Sequence, residues 1–300
     1  MTLPESSLTA ASGPTRLFAS GALWGVVGFS FTLPATRIAV MELDGTLVGL
    51  GRAVIAGGAA ALLLAVMREP LPPRVLWGRL ALVAAGVVVG FPLFSAWALK
   101  YVPAAHGAVI VGLTPAATAV MAVIRAGERP SAGFWLASLL GLVAVLIFAA
   151  VQGAGAPVPA DGLILIAVAL GALGYAEGGQ LARTLGGWQV ISWALVLSAP
   201  VLLPIVAWSA ARDGLAASPL AWGCVAYVSL VSMYFAFFAW YRGLAQGGVA
   251  RVGQVQLLQP VLTLLWSALL LGEQISGAMI AAAAAVLGSV ALTQRSRVAR

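Results

Sequence analysis

Residues Leu113–Glu128 read LTPAATAVMAVIRAGE, and residues Leu258–Glu273 read LQPVLTLLWSALLLGE. The two stretches are offset by 145 positions, as from Pro115 to Pro260, and five of their sixteen positions are identical. Each reads as an apolar helix with a proline near its middle, a Thr three residues later and a closing Gly-Glu dipeptide. The chain of 300 residues is therefore predicted to contain two copies of a unit about half its length.

The composition places both copies in a membrane. Hydrophobic residues make up 62% of the chain and charged residues only 8%, too few to cover a soluble domain of this length. The formal net charge of +7 would favour nucleic acid in a soluble protein, but most basic residues lie between apolar runs, where they determine topology. We therefore predict an integral membrane protein that contacts the lipid bilayer and binds no nucleic acid.

Ten apolar segments are predicted to cross the hydrocarbon core as helices. They are Leu17–Thr36, Thr46–Met67, Leu76–Leu99, Pro103–Ile124, Ala132–Val151, Gly162–Leu181, Trp188–Ser209, Pro219–Tyr241, Val249–Leu271 and Gly277–Thr293. The predicted fold is all-α. Residues 1–16 form a disordered cytoplasmic tail, 17–151 and 162–294 the two five-helix repeats, 152–161 an outward linker and 295–300 a basic tail.

The basic residues predict the orientation of these segments. With a cytoplasmic N-terminus, twelve Arg side chains fall on the cytoplasmic side, three basic residues fall on the other side, and Arg52 lies within the second segment. This bias predicts a protein of the cytoplasmic membrane with both termini inside. Five segments per copy then make the copies enter from opposite faces. The result is a 5+5 inverted repeat, an architecture of secondary transporters in which the substrate binds between the copies.

Four features resemble the EamA family of the drug/metabolite transporter superfamily. They are the ten-segment layout, Trp24-Gly25 in the first segment, Arg52 in the second, and the paired Pro…Gly-Glu helices at Pro115–Glu128 and Pro260–Glu273. The resemblance extends over nearly the whole chain. It implies a secondary transporter that exports a small metabolite, such as an amino acid. Toxic cations, nucleotide sugars and sugar phosphates are alternative cargoes within the same superfamily.

Deep polar and aromatic side chains are the candidates for a substrate cavity. Gln256 and Gln259 lie on one face of the ninth segment, and pseudo-symmetry sets Thr114 of the first copy opposite them. Buried amides must pair or face water, so these residues either join helices or contact a polar substrate. Trp24 and Tyr234 lie deep as well, either as packing residues or as cavity walls. We expect the cavity to lie between helices 1, 3, 4, 6, 8 and 9, with Gln256 and Trp24 facing it.

Equivalent prolines and glutamates are the candidates for gating. Pro115 and Pro260 each remove a backbone donor and expose a carbonyl one turn earlier, which serves either as a break for alternating access or as a packing kink. Glu128 and Glu273 end the same helices, where a carboxylate opposes the helix macrodipole. We expect each to have a structural partner, such as the N-terminal amides of the next helix, with gating as the alternative.

Three further ionisable residues lie within predicted segments. Glu177 in the sixth segment must be paired, hydrated or protonated there. It either pairs with Arg183 or Arg242, or it couples transport to a proton or to a substrate amine. His106 is a second candidate for proton coupling, with packing as the alternative. Arg52 is an intramembrane cation whose partner the sequence does not identify.

No enzyme motif accompanies these residues. The chain lacks HExxH, GxSxG and a phosphate-binding P-loop, so hydrolysis and ATP-driven pumping lack their essential groups. No cofactor or metal site is predicted, and the expected partner is a small-molecule substrate. Two alternatives to a transporter stay open, which are a non-transporting membrane scaffold or subunit, and a channel.

Overall fold

The structure is a computed structural model that describes residues 21–151, 158–271, 277–296 and 298–299. These residues are mostly helical, and we number the helices in chain order, with one number for all parts of an interrupted helix. They are α1 (Ala22–Ser30 and Thr32–Val40), α2 (Gly45–Val66), α3 (Arg74–Leu99), α4 (Ala104–Val111 and Thr114–Ala126), α5 (Ala132–Val151), α6 (Pro159–Leu181), α7 (Gly187–Asp213), α8 (Pro219–Gly247), α9 (Val249–Gly253, Gln254–Leu257 and Leu258–Leu271) and α10 (Gly277–Arg295). One short antiparallel pair joins β1 (Arg129–Pro130) to β2 (Val298–Ala299).

Six of the described helices are long and apolar enough to cross a membrane, namely α1, α2, α3, α6, α7 and α8. The second part of α4 and residues Ala132–Ala144 of α5 are shorter apolar helices. Large apolar side chains stay exposed on the outside of the bundle, where Leu62 is 67% and Val201 63% exposed. Such exposure is unfavourable in water but suits the hydrocarbon of a bilayer. The fold is that of a multi-pass membrane protein.

The helices pack in pairs that bring the two halves of the chain together. α1 packs along α8, α3 along α6, α2 along α7, and α5 along α10, while α4 contacts both α6 and α9. Small residues permit the closest approaches. A Cβ on Gly86 of α3 would lie 2.6 Å from the carbonyl oxygen of Leu170 in α6, and a Cβ on Gly25 of α1 would lie 3.0 Å from the Cβ of Trp240 in α8. The main core cluster therefore combines residues of both halves.

Irregular backbone falls at equivalent positions of the two halves in two helix pairs. α3 and α8 each contain a π-helical segment, Ala84–Gly90 and Tyr227–Phe235. α4 is interrupted at residues 112–113, and α9 tightens into a 3-10 turn at Gln254–Leu257. Pro115 and Pro260 account for the second pair, because a proline cannot donate to the carbonyl four residues earlier. π-helical turns occur frequently at functional sites, so both pairs point to the same region of the bundle.

Several helix boundaries differ from the predicted ones, and two of these differences have identifiable reasons. α6 begins at Pro159 rather than Gly162, because Asp161 accepts a hydrogen bond from the Val158 amide at 2.9 Å and proline is favoured in a first helical turn. α1 continues to Val40 rather than ending at Thr36, because the break at residue 31 leaves Pro34 in the first turn of the second part. The predicted tail 1–16 and residues 152–157 of the predicted linker lie outside the described residues.

Candidate functional site

A small cavity lies at the centre of the bundle, where helices of both halves meet. Its volume of about 20 Å³ gives room for about one water molecule. The structure therefore shows this site closed, without room for a metabolite. The cavity is lined by Phe29, Thr32, Arg52, Val87, Phe91, Val111, Thr114, Tyr175, Ser232, Met233, Phe237, Gln256 and Gln259. These residues come from α1, α2, α3, α4, α6, α8 and α9.

Equivalent positions of the two halves contribute to the lining. Three pairs share the offset of the sequence repeat: Val87 with Ser232, Val111 with Gln256, and Thr114 with Gln259. The first pair comes from the π-helical segments of α3 and α8, and the other two come from the irregular regions of α4 and α9. The irregular backbone of the fold thus supplies much of the cavity wall.

Each proline leaves a carbonyl group at the cavity without its usual helical donor. The carbonyl oxygen of Val111 accepts a hydrogen bond from the Thr114 hydroxyl at 2.6 Å, which replaces the amide that Pro115 lacks. Pro260 likewise cannot donate to the carbonyl of Gln256, within the 3-10 turn. The expected loss of regular helix one turn before each proline agrees with this geometry. The gating role of Pro115 and Pro260 stays a prediction.

Polar side chains in the cavity pair mainly with one another. The hydroxyls of Thr32 and Ser232 lie 2.7 Å apart, and Nε2 of Gln256 donates to the Tyr175 hydroxyl at 3.1 Å. The amide oxygen of Gln256 has no hydrogen-bond partner among the described residues. The Gln256 amide oxygen is therefore a free acceptor in the closed cavity.

Arg52 of α2 brings a positive charge to the same cavity. Its side chain is only 2% exposed, and its Nε has no hydrogen-bond partner in the described part of the chain. None of the ion pairs between described residues involves Arg52. An unpaired guanidinium in a membrane interior is costly, and such groups are characteristic of binding sites.

Four aromatic rings form one wall beside the cavity. They belong to Phe29, Tyr175, Phe237 and Trp240, and their centroid separations include 5.1 Å for Phe29–Phe237 and 5.4 Å for Tyr175–Trp240. The sequence-based candidates did not include these residues. The spacing of Phe237, Trp240 and Tyr241 would have indicated two of them, Phe237 and Trp240, because positions i, i+3 and i+4 share one face of a helix.

The predicted cavity residues divide into two groups. Three of them, Thr114, Gln256 and Gln259, line the cavity. Trp24 does not, because α1 turns Gly25 and Phe29 towards α8 and leaves the Trp24 indole 72% exposed on the outside. Tyr234 is buried, but its hydroxyl lies 2.9 Å from that of Ser192 in α7, and it is not among the lining residues. A role in substrate binding stays a prediction for the first group.

Glu177 lies in an ion-pair cluster at one end of the bundle, where α3 begins and α4 and α6 end. We call this the basic end. The Glu177 carboxylate is 1% exposed and accepts hydrogen bonds from Nε of Arg79, and from Nη2 and Nε of Arg125 at 2.8 and 3.1 Å. Gln180, one turn further along α6, accepts from Nη2 of Arg79 at 3.0 Å and donates to the backbone carbonyl of Arg125. The cluster joins α3, α4 and α6.

The pairing of Glu177 with Arg183 or Arg242 was wrong. Its partners come from α3 and α4, because α6 packs directly against both helices. Gly174 serves this packing, since a Cβ there would lie 2.6 Å from a methyl group of Val87 in α3, whereas Gly178 and Gly179 face Tyr241 and Leu244 of α8. The substrate-binding and coupling roles predicted for Glu177 stay predictions, and Glu177 is not among the residues that line the cavity.

Glu128 joins the two halves of the chain at the same end. It is 1% exposed and accepts hydrogen bonds from the amides of Val249 and Ala250, both at 2.8 Å. Arg183 approaches its carboxylate at 3.5 Å. The expected partner was the N-terminus of the next helix, α5, but the carboxylate instead caps α9, because Gly127 at φ 65° reverses the chain there. Glu273 lies outside the described residues.

His106 contacts Asp161 at the opposite end of the bundle, where α4 and α6 begin. Its Nε2 lies 2.7 Å from Oδ1 of Asp161, and both side chains are less than one-fifth exposed. This pair joins the two helices at their outer ends, and coupling by His106 stays a prediction. Among the described residues, no group of three or more His, Cys, Asp or Glu side chains could hold a metal ion.

Two carboxylates between α1 and α2 also bind the second half at this opposite end. Glu42 accepts from the amide and hydroxyl of Ser218 at 2.6 and 2.7 Å, and these bonds, chiefly the backbone one, hold the pKa of Glu42 below its usual value. Burial raises the pKa of Asp44, but hydrogen bonds from Ser209 and from the first amides of α2 outweigh it, so that pKa is lowered.

The chain matches a known protein family over each of its two halves. The sequence model of the EamA-like transporter family matches residues 17–150 and again residues 158–295. An "uncharacterized transporter", YdeK of Bacillus subtilis (strain 168), is 47% identical over 271 residues, which cover 90% of this chain and 94% of the relative. One solved crystal structure, 20% identical in sequence, shares the fold with a TM-score of 0.70 over 93% of this chain and 96% of the other. The double family match coincides with the internal repeat.

Proposed function

Because the chain belongs to the EamA-like transporter family, we propose that it is a secondary transporter that exports a small metabolite, such as an amino acid or a related compound, by alternating access. The observation that carries the proposal is the closed central cavity, lined by polar side chains at equivalent positions of both halves. Alternating access needs a site between two repeats that opens to one face at a time. The proposed direction of transport, which is export, rests on the family resemblance.

We propose that all ten helices cross the membrane as a 5+5 inverted repeat, with α1–α5 and α6–α10 as the two copies. The helix contacts support this arrangement. If α1–α5 are exchanged with α6–α10, the contact between α1 and α8 becomes a contact between α6 and α3, which is also present. The same exchange returns α2–α7, α4–α9 and α5–α10 to themselves. Pairing of this kind is expected for two copies related by a pseudo-two-fold axis in the membrane plane.

The basic end is proposed to face the cytoplasm. It carries Arg79, Arg125 and Arg183, and the distribution of twelve basic residues against three favours the same connections inside. Both termini then lie in the cytoplasm of a cell whose inner or plasma membrane holds the protein. Reporter fusions at Arg300 and within residues 152–157 test this orientation. An outward report from Arg300 would overturn the cytoplasmic placement of the termini, and reports of the same side from both fusions would overturn the inverted repeat.

Polar contacts at the two ends are proposed to act as the gates. The Glu177 cluster holds α3, α4 and α6 together at the basic end, and the His106–Asp161 pair holds α4 to α6 at the opposite end. The guanidinium groups of Arg79 and Arg125 are 38% and 39% exposed, so water is available to replace their contacts when the helices separate. Opening one end while the other stays paired would expose the cavity to one side.

Transport is tested with the purified chain in proteoliposomes. A resistance screen in cells that overexpress the chain identifies the cargo, and a counterflow assay then distinguishes a carrier from a channel. Liposomes preloaded with unlabelled cargo should accumulate labelled cargo transiently, and the initial rate should saturate, because a carrier exchanges cargo across its alternating site. Flux without counterflow would indicate a channel, and no flux for any screened compound would indicate a scaffold.

A further inference from the structure

Arg52 has no counter-ion in the described part of the chain, and every described carboxylate is placed elsewhere. The seven carboxylates and their positions are Glu42 on Ser218, Asp44 on the α2 N-terminus, Glu69 in the α2–α3 connection, Glu128 on the α9 N-terminus, Asp161 on His106, Glu177 on Arg79 and Arg125, and Asp213 on Arg212. The positive charge of Arg52 therefore lies 2% exposed in the cavity, and none of the seven described carboxylates neutralises it.

The position of Arg52 in α2 prevents its head group from reaching an aqueous end. Arg52 is seven residues beyond Gly45, which corresponds to roughly 10 Å along the helix axis, and the last residue of α2 is further away. A side chain near a helix end snorkels to the interface, but Arg52 instead points into the cavity. Among the described lining residues, the other ionisable side chain is that of Tyr175, a phenol that carries no charge near pH 7.

We propose that Arg52 binds the carboxylate of the transported molecule, so that the cargo is a small organic acid rather than a cation. This inference rests on the proposed transport function. The bound carboxylate supplies the missing negative charge, and the planar guanidinium suits a two-point contact with it. A cationic cargo would place a second positive charge beside the buried guanidinium of Arg52 and would be repelled.

The rest of the cavity complements the same molecule. The unpartnered amide oxygen of Gln256 accepts a hydrogen bond from an N–H or O–H group of the cargo. The remaining lining is largely apolar and aromatic, with Phe29, Phe91 and Phe237 on the wall. A small acid that carries an amino or hydroxyl group and an apolar side chain satisfies all three features. The many hydroxyl groups of sugars and sugar phosphates would match this apolar wall poorly.

The first experiment measures anion binding by thermal stability and needs no knowledge of the cargo. Purified protein is titrated with sodium formate and sodium acetate, and separately with their neutral analogues formamide and acetamide. Because only the anions neutralise Arg52, we expect them to raise the Tm by roughly 3 °C at a concentration tenfold above their Kd, and the amides to leave it unchanged. Glycolate, which adds a hydroxyl donor for Gln256, should raise the Tm further than acetate.

Two substitutions separate binding at Arg52 from general salt effects. Arg52→Met removes the charge at similar length, so the anion-dependent rise should disappear while the Tm without anions increases, since an unpaired buried cation is gone. Arg37→Gln is the matched control, because Arg37 of α1 donates to the Leu99 carbonyl outside the cavity, and it should keep the full anion response. Three results would each overturn the proposal. The Tm could respond equally to anions and amides, the response to anions could survive Arg52→Met, or Arg52→Met could have a lower Tm than the unchanged protein.

The transport assay then tests the same residue against the cargo identified by screening. If transport occurs, Arg52→Met should weaken the apparent affinity for an acidic cargo about 100-fold, because hydrogen bonds to a charged group are lost. A cationic cargo, or undiminished flux in Arg52→Met, would contradict the inference and leave transport intact. Anion binding at Arg52 without flux of any compound would contradict the transport proposal instead.

Discussion

The Glu177 cluster supports the most quantitative prediction, made for Glu177→Gln. The change keeps the size of the side chain but removes a charge that is 1% exposed and accepts three hydrogen bonds from Arg79 and Arg125. Removing one partner of a fully buried ion pair costs about 3–5 kcal/mol. Both guanidinium groups are more than one-third exposed and regain water, so we expect a loss of about 2 kcal/mol in the free energy of unfolding.

Thermal unfolding of the purified protein measures this loss. A destabilisation of about 2 kcal/mol corresponds to a decrease in Tm of roughly 5 °C in a chain of this size. Arg125→Gln and the double variant complete a mutant cycle, in which the double variant should lose about 1 kcal/mol less than the sum of the single losses. Arg212→Gln is the control, since its partner Asp213 is adjacent in sequence and Arg212 is 50% exposed. An unchanged Tm of Glu177→Gln, or strict additivity in the cycle, would refute the cluster as a structural contact.

Three further predictions concern other contacts between the halves. Glu128→Gln should lower the free energy of unfolding by about 1–2 kcal/mol, measured by chemical or thermal unfolding, because the α9 N-terminus loses its charged cap. Gly86→Ala should reduce the yield or Tm, by about 1–3 kcal/mol of overpacking, whereas Gly223→Ala, with no atom within 4 Å, should be tolerated. The lowered pKa of Glu42 contributes stability that is present above the unfolded value of 4.5 and is lost as the pH falls through the folded pKa, so acid titration of the Tm should show a decline below about pH 4.5 that Glu42→Gln reduces.

The internal repeat made part of the site predictable. Pro115 and Pro260 stand at equivalent positions, and a missing backbone donor distorts a helix wherever it occurs, so the irregular regions of α4 and α9 followed from the sequence. Buried amides need partners or water, so Gln256 and Gln259 were reasonable candidates for the cavity. These inferences depend on local chemistry and on a fixed offset, both of which can be read along one chain.

The remaining details depend on which helices pack together. Trp24 was expected in the cavity, but the neighbouring Gly25 determines the face of α1 that contacts α8, and that face excludes the indole. The partners of Glu177 lie on α3 and α4, far away in sequence. Glu128 was expected to cap the next helix, whereas the turn at Gly127 directs it to α9. Hydropathy and periodicity contain no information about such long-range pairs.

Labelling of a cysteine at position 256 tests the alternating cavity most directly. In the background of Cys224→Ala, Gln256→Cys provides the single thiol of the chain, at a site that is 3% exposed in this closed structure. A membrane-impermeant thiol reagent is added separately to right-side-out and inside-out vesicles. We predict slow labelling from both sides, protection by cargo, and faster labelling from the basic end when Glu177→Gln weakens the cluster there. If this cysteine reacts with the reagent from neither side of the membrane in a transport-active protein, the account is contradicted.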